Sequence, residues 1–190
     1  MIQRHLFALF VALTLLLGMP GDEARAANVE ISRIKVEATE EGYTLGANYD
    51  FELNRGLEDA LTRGFALFFT TELELTRPRW YWFDEKAIVA KQTVRLSYNL
   101  LTRQYYVAVL GSLHQTTNSL EEALSLIRRP NRWLFTYKGN LKGGETYNGK
   151  LRMILNLEYQ SKPIQINAIN NSDWRLASDK ITFHYKAEEK

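Results

Sequence analysis

The sequence contains no cysteine among its 190 residues. This absence excludes disulfide bonds, thiol nucleophiles, cysteine metal ligands and a lipid anchor on an N-terminal cysteine. Charge of one sign is also lacking, because 24 lysine and arginine residues are interspersed with 22 acidic ones. Nucleic-acid binders present a strongly basic face, so this balance argues against a nucleic-acid partner. The fold must therefore be held together by an apolar core alone.

Long apolar runs are scarce as well, and the one that stands out covers residues 6–17. As a helix it would rise about 18 Å, which is too short for a bilayer core of about 30 Å. Arg4 precedes this run, and Ala-Arg-Ala at residues 24–26 supplies the small residues that a signal peptidase reads. We therefore expect a signal peptide cleaved after Ala26 and a periplasmic product without a transmembrane segment.

Removal of residues 1–26 leaves residues 27–190, which we expect to form a single β-rich domain. The dominant pattern in this part is period-two alternation of apolar and polar residues, which is typical of strands with one buried face. A change of phase at Ser32-Arg33 predicts a β-bulge in the first strand. The eight predicted strands cover residues 28–38, 43–53, 67–77, 87–98, 103–113, 132–137, 145–159 and 180–186.

Two short helices interrupt the strands. Asn54 can cap the first helix, and Arg63-Gly64 can end it. Ser119 and Glu122 form a capping box at the start of the second. Residues 163–174 are expected to form an irregular connection. The predicted fold class is α+β, predominantly antiparallel β, with a β-sandwich-like or strongly curved sheet and two short helices.

Catalytic chemistry finds little support in the sequence. His114 and His184 stand alone, and neither a nucleophile motif nor a phosphate loop occurs. Glu72 and Glu74 share one strand face about 7 Å apart, so they could divide acid and base roles in glycoside cleavage. The alternative, which we favour, is that they solvate an exposed face. No catalytic residue, cofactor or metal ligand is predicted.

The densest feature is the run from Arg77 to Glu85, which contains four consecutive aromatic residues beside two arginines. Arginine and tryptophan anchor interfaces, so this run could present a binding surface. Alternatively, its rings could fill one end of the core, with the arginine stems packed over them. The predicted binding residues, which we call the Arg/Trp cluster, are Arg77, Arg79, Trp80 and Trp82.

Five motifs follow one another along the chain: Leu57-Glu58-Asp59-Ala60-Leu61, Arg79-Trp80-Tyr81-Trp82, Arg95-Leu96-Ser97-Tyr98, Ser119-Leu120-Glu121-Glu122-Ala123-Leu124 and Pro163-Ile164-Gln165. Together they resemble domain-of-unknown-function family 4390, an uncharacterised family of exported proteobacterial proteins. The resemblance covers nearly all of residues 27–190 and implies no activity, cofactor or catalytic residue. It does imply a signalling partner, since members are often encoded near a membrane sensor kinase of nitrogen regulation.

The sequence thus favours a non-enzymatic periplasmic binding or interaction module. Its expected partner is an envelope protein, with a membrane sensor as one candidate. The alternative function is a hydrolase of envelope polymers that uses carboxylates such as Glu72 or Glu74.

Overall fold

The computed structural model describes residues 27–81, 85–130 and 132–188, so the predicted signal peptide lies outside the described residues. No helix in these three ranges is both long enough and apolar enough to cross a bilayer.

The strands are β1 Ala27–Asn28, β2 Glu30–Ala38, β3 Gly42–Asp50, β4 Leu67–Arg77, β5 Glu85–Asn99, β6 Gln104–Val109, β7 Gln115–Thr117, β8 Trp133–Tyr137, β9 Thr146–Leu155, β10 Leu176–Ala177 and β11 Ile181–Lys186. The α-helices are α1 Arg55–Thr62, α2 Leu120–Arg128 and α3 Lys162–Ile169, and a 3₁₀ helix covers Ser172–Trp174.

The strands form two sheets. The larger sheet has the order β1-β10-β9-β4-β5-β6-β7, with β11 also paired to β9, and the smaller sheet has the order β2-β3-β8. Neighbouring strands pair antiparallel, except for the short parallel pair of β1 and β10. The predicted α+β class with predominantly antiparallel strands is therefore confirmed.

The two sheets pack face to face through β3 and the centre of the larger sheet. Thr71 of β4 donates a hydrogen bond to the Tyr49 hydroxyl of β3 at 3.2 Å. The rings of Phe51 and Phe69 lie 5.5 Å apart between their centroids. Aromatic side chains and a buried hydroxyl pair therefore join the sheets into the predicted sandwich-like core.

Strand β4 shows why alternation was informative. Leu67, Phe69, Leu73 and Leu75 are each at most 1% exposed and face the core, whereas the glutamates between them face away. Successive side chains of a strand point to opposite faces, so this pattern fixes the register of β4 against both of its neighbours.

Local irregularities also follow the sequence. The pairing of β2 with β3 shifts between Ser32 and Lys35, and Arg33 adopts a positive φ of 51°. The predicted bulge is therefore confirmed. It bends β2 at the edge of the smaller sheet, which discourages pairing with a further strand.

Both predicted helices are present with the predicted caps. The Asn54 side chain accepts a hydrogen bond from the Leu57 amide at 2.9 Å, and Gly64 follows α1 with φ 91°. The Ser119 hydroxyl accepts from the Glu122 amide at 3.2 Å. The Glu122 carboxylate accepts from the Asn118 amide, one residue before the cap, also at 3.2 Å. These bonds satisfy backbone donors that a helix start otherwise leaves unpaired.

The prediction of an irregular connection over residues 163–174 was wrong, because α3 and the 3₁₀ helix lie there. The apolar residues of α3 do not line up along one face, so no helical stripe was visible in the sequence. Pro163 is tolerated because it lies in the first turn of α3. The helix is instead tied to the preceding loop by Gln165, whose Nε2 donates to the Gln160 carbonyl at 2.9 Å.

Candidate binding surface

The Arg/Trp cluster lies at the turn between the two longest strands, β4 and β5. The last cross-strand pair before this turn is Arg77 with Glu85. Trp82, which belongs to the predicted cluster, lies outside the described residues. The structure therefore brings Arg77, Arg79 and Trp80 together at one hairpin tip.

Glu85 organises the base of this tip. Its Oε2 accepts hydrogen bonds from Nη2 of Arg79 and from Nη2 of Arg77. These two hydrogen bonds, that of Arg79 first, lower the pKa of the Glu85 carboxyl. The hydrogen bond with Glu85 in turn raises the pKa of the Arg77 guanidinium. One carboxylate thus holds two arginine side chains in place beside the exposed turn.

The aromatic residues of the tip face solvent. Trp80 is 95% exposed and Tyr81 is 65% exposed. Their rings meet edge to face, with 5.1 Å between the centroids and 73° between the planes. The interpretation that these rings fill one end of the core is therefore wrong for Trp80 and Tyr81. An exposed aromatic pair beside two oriented guanidinium groups is suited to contact with another molecule.

The alternative site, Glu72 and Glu74, lies on the outer face of the larger sheet beside a depression of about 190 Å³. Lys91 Nζ lies 2.7 Å from the Glu72 carboxylate, and Lys86 Nζ lies 3.6 Å from that of Glu74. The hydrogen bond that Lys91 donates to the Glu72 carboxylate raises the pKa of the Lys91 ammonium. Acid–base pairs need two carboxylates in different environments, and these two have the same kind of partner. The geometry thus resembles a solvated charged face.

The histidines form no catalytic constellation with the described residues. His184 is exposed, as its strand phase predicted, and its Nδ1 lies 2.9 Å from Asn148 Oδ1. The His114 ring packs 4.7 Å from the ring of Tyr106. Within residues 27–81, 85–130 and 132–188, no three side chains of the metal-binding types come together.

A polar pocket that sequence reasoning missed lies near the end of β9. Residues 145–159 were predicted as one strand, but β9 ends at Leu155 and Tyr159 is 50% exposed. Asn156 directly follows the strand, and this asparagine, a residue type favoured in turns, was the available signal of its end. We call this cavity of about 490 Å³ the Tyr159 pocket; its lining residues include Thr70, Lys91, Gln92, Thr93, Leu110, Arg132, Trp133, Asn156, Glu158 and Tyr159.

Comparison with known proteins gives one family. No curated protein and no solved structure matches the chain. The family model described as "Domain of unknown function (DUF4390)" matches residues 26–184, which is most of the sequence. The chain therefore belongs to the DUF4390 family.

Proposed function

We propose that this chain is an exported periplasmic protein that acts as a non-enzymatic binding module. The Arg/Trp cluster would contact a partner protein of the cell envelope, with a membrane sensor as one candidate. The observation that carries this proposal is Trp80, which exposes 95% of its surface at the tip of the longest hairpin. Leaving a side chain of this size in water forgoes the benefit of burial, which an interface would recover.

The neighbouring charges support the same function. Tryptophan and arginine are the residues that most often dominate binding energy at protein interfaces. The shared contact with Glu85 restrains the Arg77 and Arg79 side chains before any partner arrives. Such restraint lowers the conformational entropy lost on binding. The hairpin tip therefore offers an aromatic anchor together with two preoriented cations.

Export is proposed from residues 1–26, whose charge, apolar run and small residues fit a signal peptide. The absence of cysteine speaks against a lipid anchor, and the interspersed charges speak against a nucleic-acid partner. A hydrolase of envelope polymers is the alternative proposal. The binding module is favoured because Glu72 and Glu74 both face lysine partners.

The test is a crosslinked pull-down from envelope extracts, with the bound proteins identified by mass spectrometry. The Arg79→Ala/Trp80→Ala variant should lose at least about tenfold of a specific envelope protein that the wild type captures. The matched control is Leu101→Ala, which is also 95% exposed but lies at the turn between β5 and β6. N-terminal sequencing of the periplasmic fraction should give a chain that begins at Ala27.

Circular dichroism must show that both variants retain the wild-type fold. Equal recovery of every envelope protein by the wild type and the double variant would contradict the role of the cluster. Recovery of the chain with residues 1–26 intact in the cytoplasm would contradict export.

A further inference from the structure

The Tyr159 pocket lies apart from the hairpin tip, and its lining combines residues of the larger sheet with residues at the start of β8. Thr70 of β4 and Thr93 of β5 are cross-strand partners, and their side chains alternate with that of the core residue Phe69. They therefore point away from the core and into the cavity of about 490 Å³. This volume falls within the range of about 300–1,000 Å³ that small-molecule sites occupy.

Tyr159 supplies a flat apolar wall to this pocket. Its ring stacks on the ring of Phe68, with 5.2 Å between the centroids and 29° between the planes. Phe68 covers one face of the Tyr159 ring, while the residue as a whole remains 50% exposed. The opposite face of a firmly supported aromatic ring is thus accessible from the cavity.

The loop that carries Tyr159 is fixed by hydrogen bonds at both ends. The Asn156 amide donates to the Phe68 carbonyl at 2.7 Å. The Glu158 amide donates to Asn156 Oδ1 at 2.9 Å. After Tyr159, Gln165 of α3 donates from Nε2 to the Gln160 carbonyl at 2.9 Å. The ring is therefore positioned before any ligand arrives, which reduces the entropic cost of binding.

A directed chain of hydrogen bonds ends in the pocket. Because Asn156 Oδ1 accepts from Glu158, the amide nitrogen Nδ2 faces Thr70 and donates to its Oγ1 at 3.2 Å. Thr70 Oγ1 lies 2.7 Å from Thr93 Oγ1. Either hydroxyl could be the donor of this bond. We infer that Thr70 donates to Thr93, because Thr70 is only 1% exposed and its proton would otherwise be buried without an acceptor. The Thr93 proton then has no acceptor among the described residues.

Further polar groups surround this orphan donor. Gln92 also contributes to the lining, but it is the cross-strand partner of the core-facing Thr71, so its side chain lies on the opposite face of β5 from that of Thr93. Lys91 and Glu158 bring an ammonium and a carboxylate to the same rim. The lining thus offers hydrogen-bond donors and acceptors, including one ammonium and one carboxylate, around the exposed face of one aromatic ring.

We propose that the Tyr159 pocket binds a pyranose-based oligosaccharide. The C–H face of a sugar ring is apolar and carries slight positive charge, which suits the negative face of an aromatic ring. Sugar hydroxyls both donate and accept, so they can accept the Thr93 proton and pair with Lys91 and Glu158. A purely apolar ligand would leave these polar groups unpaired. A strongly charged ligand would be repelled by whichever of the two groups, ammonium or carboxylate, has the same sign of charge.

The test is isothermal titration calorimetry of the full mature chain with cellotetraose, tetra-N-acetylchitotetraose and maltotetraose as probes. At least one probe should bind the wild type with a dissociation constant below about 1 mM. Tyr159→Ala should weaken this binding at least about tenfold, because the stacking face is removed. Tyr159→Phe should bind like the wild type, because it keeps the ring. Thr93→Val, which removes the donor but conserves the shape, should weaken binding about fivefold.

The matched control is Tyr137→Ala, which deletes another exposed tyrosine side chain, 67% exposed and outside the pocket lining, and should leave binding unchanged. Absence of binding by all three probes would overturn the proposal. Unchanged binding by Tyr159→Ala would also overturn it, because the sugar would then be bound elsewhere. Neither Trp80 nor an envelope partner enters this assay, so its failure is distinguishable from failure of the proposed function.

Discussion

At the scale of single residues, two tyrosines with enclosed hydroxyl groups differ in their surroundings: Tyr49 is buried, and Tyr185 is half-buried. The Tyr49 hydroxyl accepts a hydrogen bond from Thr71, whereas the Tyr185 hydroxyl is buried without a partner among the described residues. The Tyr185 ring itself is well placed, edge to face with Tyr43 at 6.2 Å. A paired hydroxyl stabilises a core and an unpaired one destabilises it, so the same chemical deletion should have opposite effects.

We therefore expect Tyr185→Phe to raise the free energy of unfolding by about 1 kcal/mol and Tyr49→Phe to lower it by about 1 kcal/mol. The first variant removes an unsatisfied buried group and keeps its ring contact. The second leaves the buried Thr71 hydroxyl without its acceptor. Urea denaturation near neutral pH measures both changes. A loss of stability in Tyr185→Phe would contradict the unpaired state of its hydroxyl.

Exposure of individual side chains was the part of the site that the sequence could not decide. The run from Arg77 to Glu85 is as rich in aromatic residues as a core segment, and alternation does not apply at a hairpin turn. Trp80 follows the last cross-strand pair of β4 and β5, Arg77 with Glu85, and is 95% exposed there. Similarly, the chemistry of Thr93 depends on Thr70 and Asn156, which are distant from it in sequence.

At the scale of elements, the helix caps could be predicted from the sequence, whereas α3 and the end of β9 could not. The caps of α1 and α2 depend on residues three or four positions apart, so the sequence predicted them correctly. In contrast, α3 depends on contacts of Gln165 with the loop before it, which no periodicity reveals. The end of β9 was missed for a related reason, since Leu157 and Tyr159 continue its alternation after the ladder with β4 has ended.

Helix α1 and the 3₁₀ helix pack so closely that the space at Gly56 of α1 has no room for a larger side chain. A Cβ at Gly56 would lie 2.7 Å from the Asp173 Cβ, which is tied to the backbone. Asp173 has little freedom to retreat, because its carbonyl accepts from Asn54 Nδ2 at 2.8 Å. The same Asn54 side chain caps α1, so a shift of Asp173 would disturb both helices.

We expect Gly56→Ala to lower the free energy of unfolding by about 1–3 kcal/mol through this overpacking. In an open helix the same change would be favourable by up to about 1 kcal/mol, so the sign is diagnostic. Gly46→Ala in β3 is the matched control, because its added Cβ would meet nothing within 4 Å. Thermal or urea unfolding compares the two. A stabilised Gly56→Ala variant would contradict the tight docking.

At the scale of the whole molecule, stability rests on one interface between two sheets. Tyr43, Leu45, Ala47 and Tyr49 of β3 are each at most 8% exposed and belong to the same apolar cluster as the core residues of β4. No disulfide can share this task, since the sequence lacks cysteine. Residues 27–190 are therefore expected to unfold as one cooperative unit, because neither sheet could keep its inner face covered alone.

Alkaline pH probes that interface directly through Tyr49. Burial raises the pKa of Tyr49 to about 12, although its hydrogen bond with Thr71 partly opposes the effect. In the unfolded chain a tyrosine titrates near pH 10. Since the unfolded state loses its proton first, this stability is complete below about pH 10 and is lost as the pH rises towards about 12.

The free energy of unfolding of the wild type minus that of Tyr49→Phe should therefore fall by about 2 kcal/mol between about pH 9 and about pH 12, which reverses the wild type's advantage of about 1 kcal/mol. Phenylalanine does not titrate, so the comparison cancels the other groups that ionise in this range. Urea denaturation followed by circular dichroism and by tryptophan fluorescence measures both the difference and the number of transitions. A difference in the free energy of unfolding that stays constant with pH would show that Tyr49 ionises as readily in the folded chain as in the unfolded one. Separate transitions in circular dichroism and in fluorescence would show that the two sheets unfold independently.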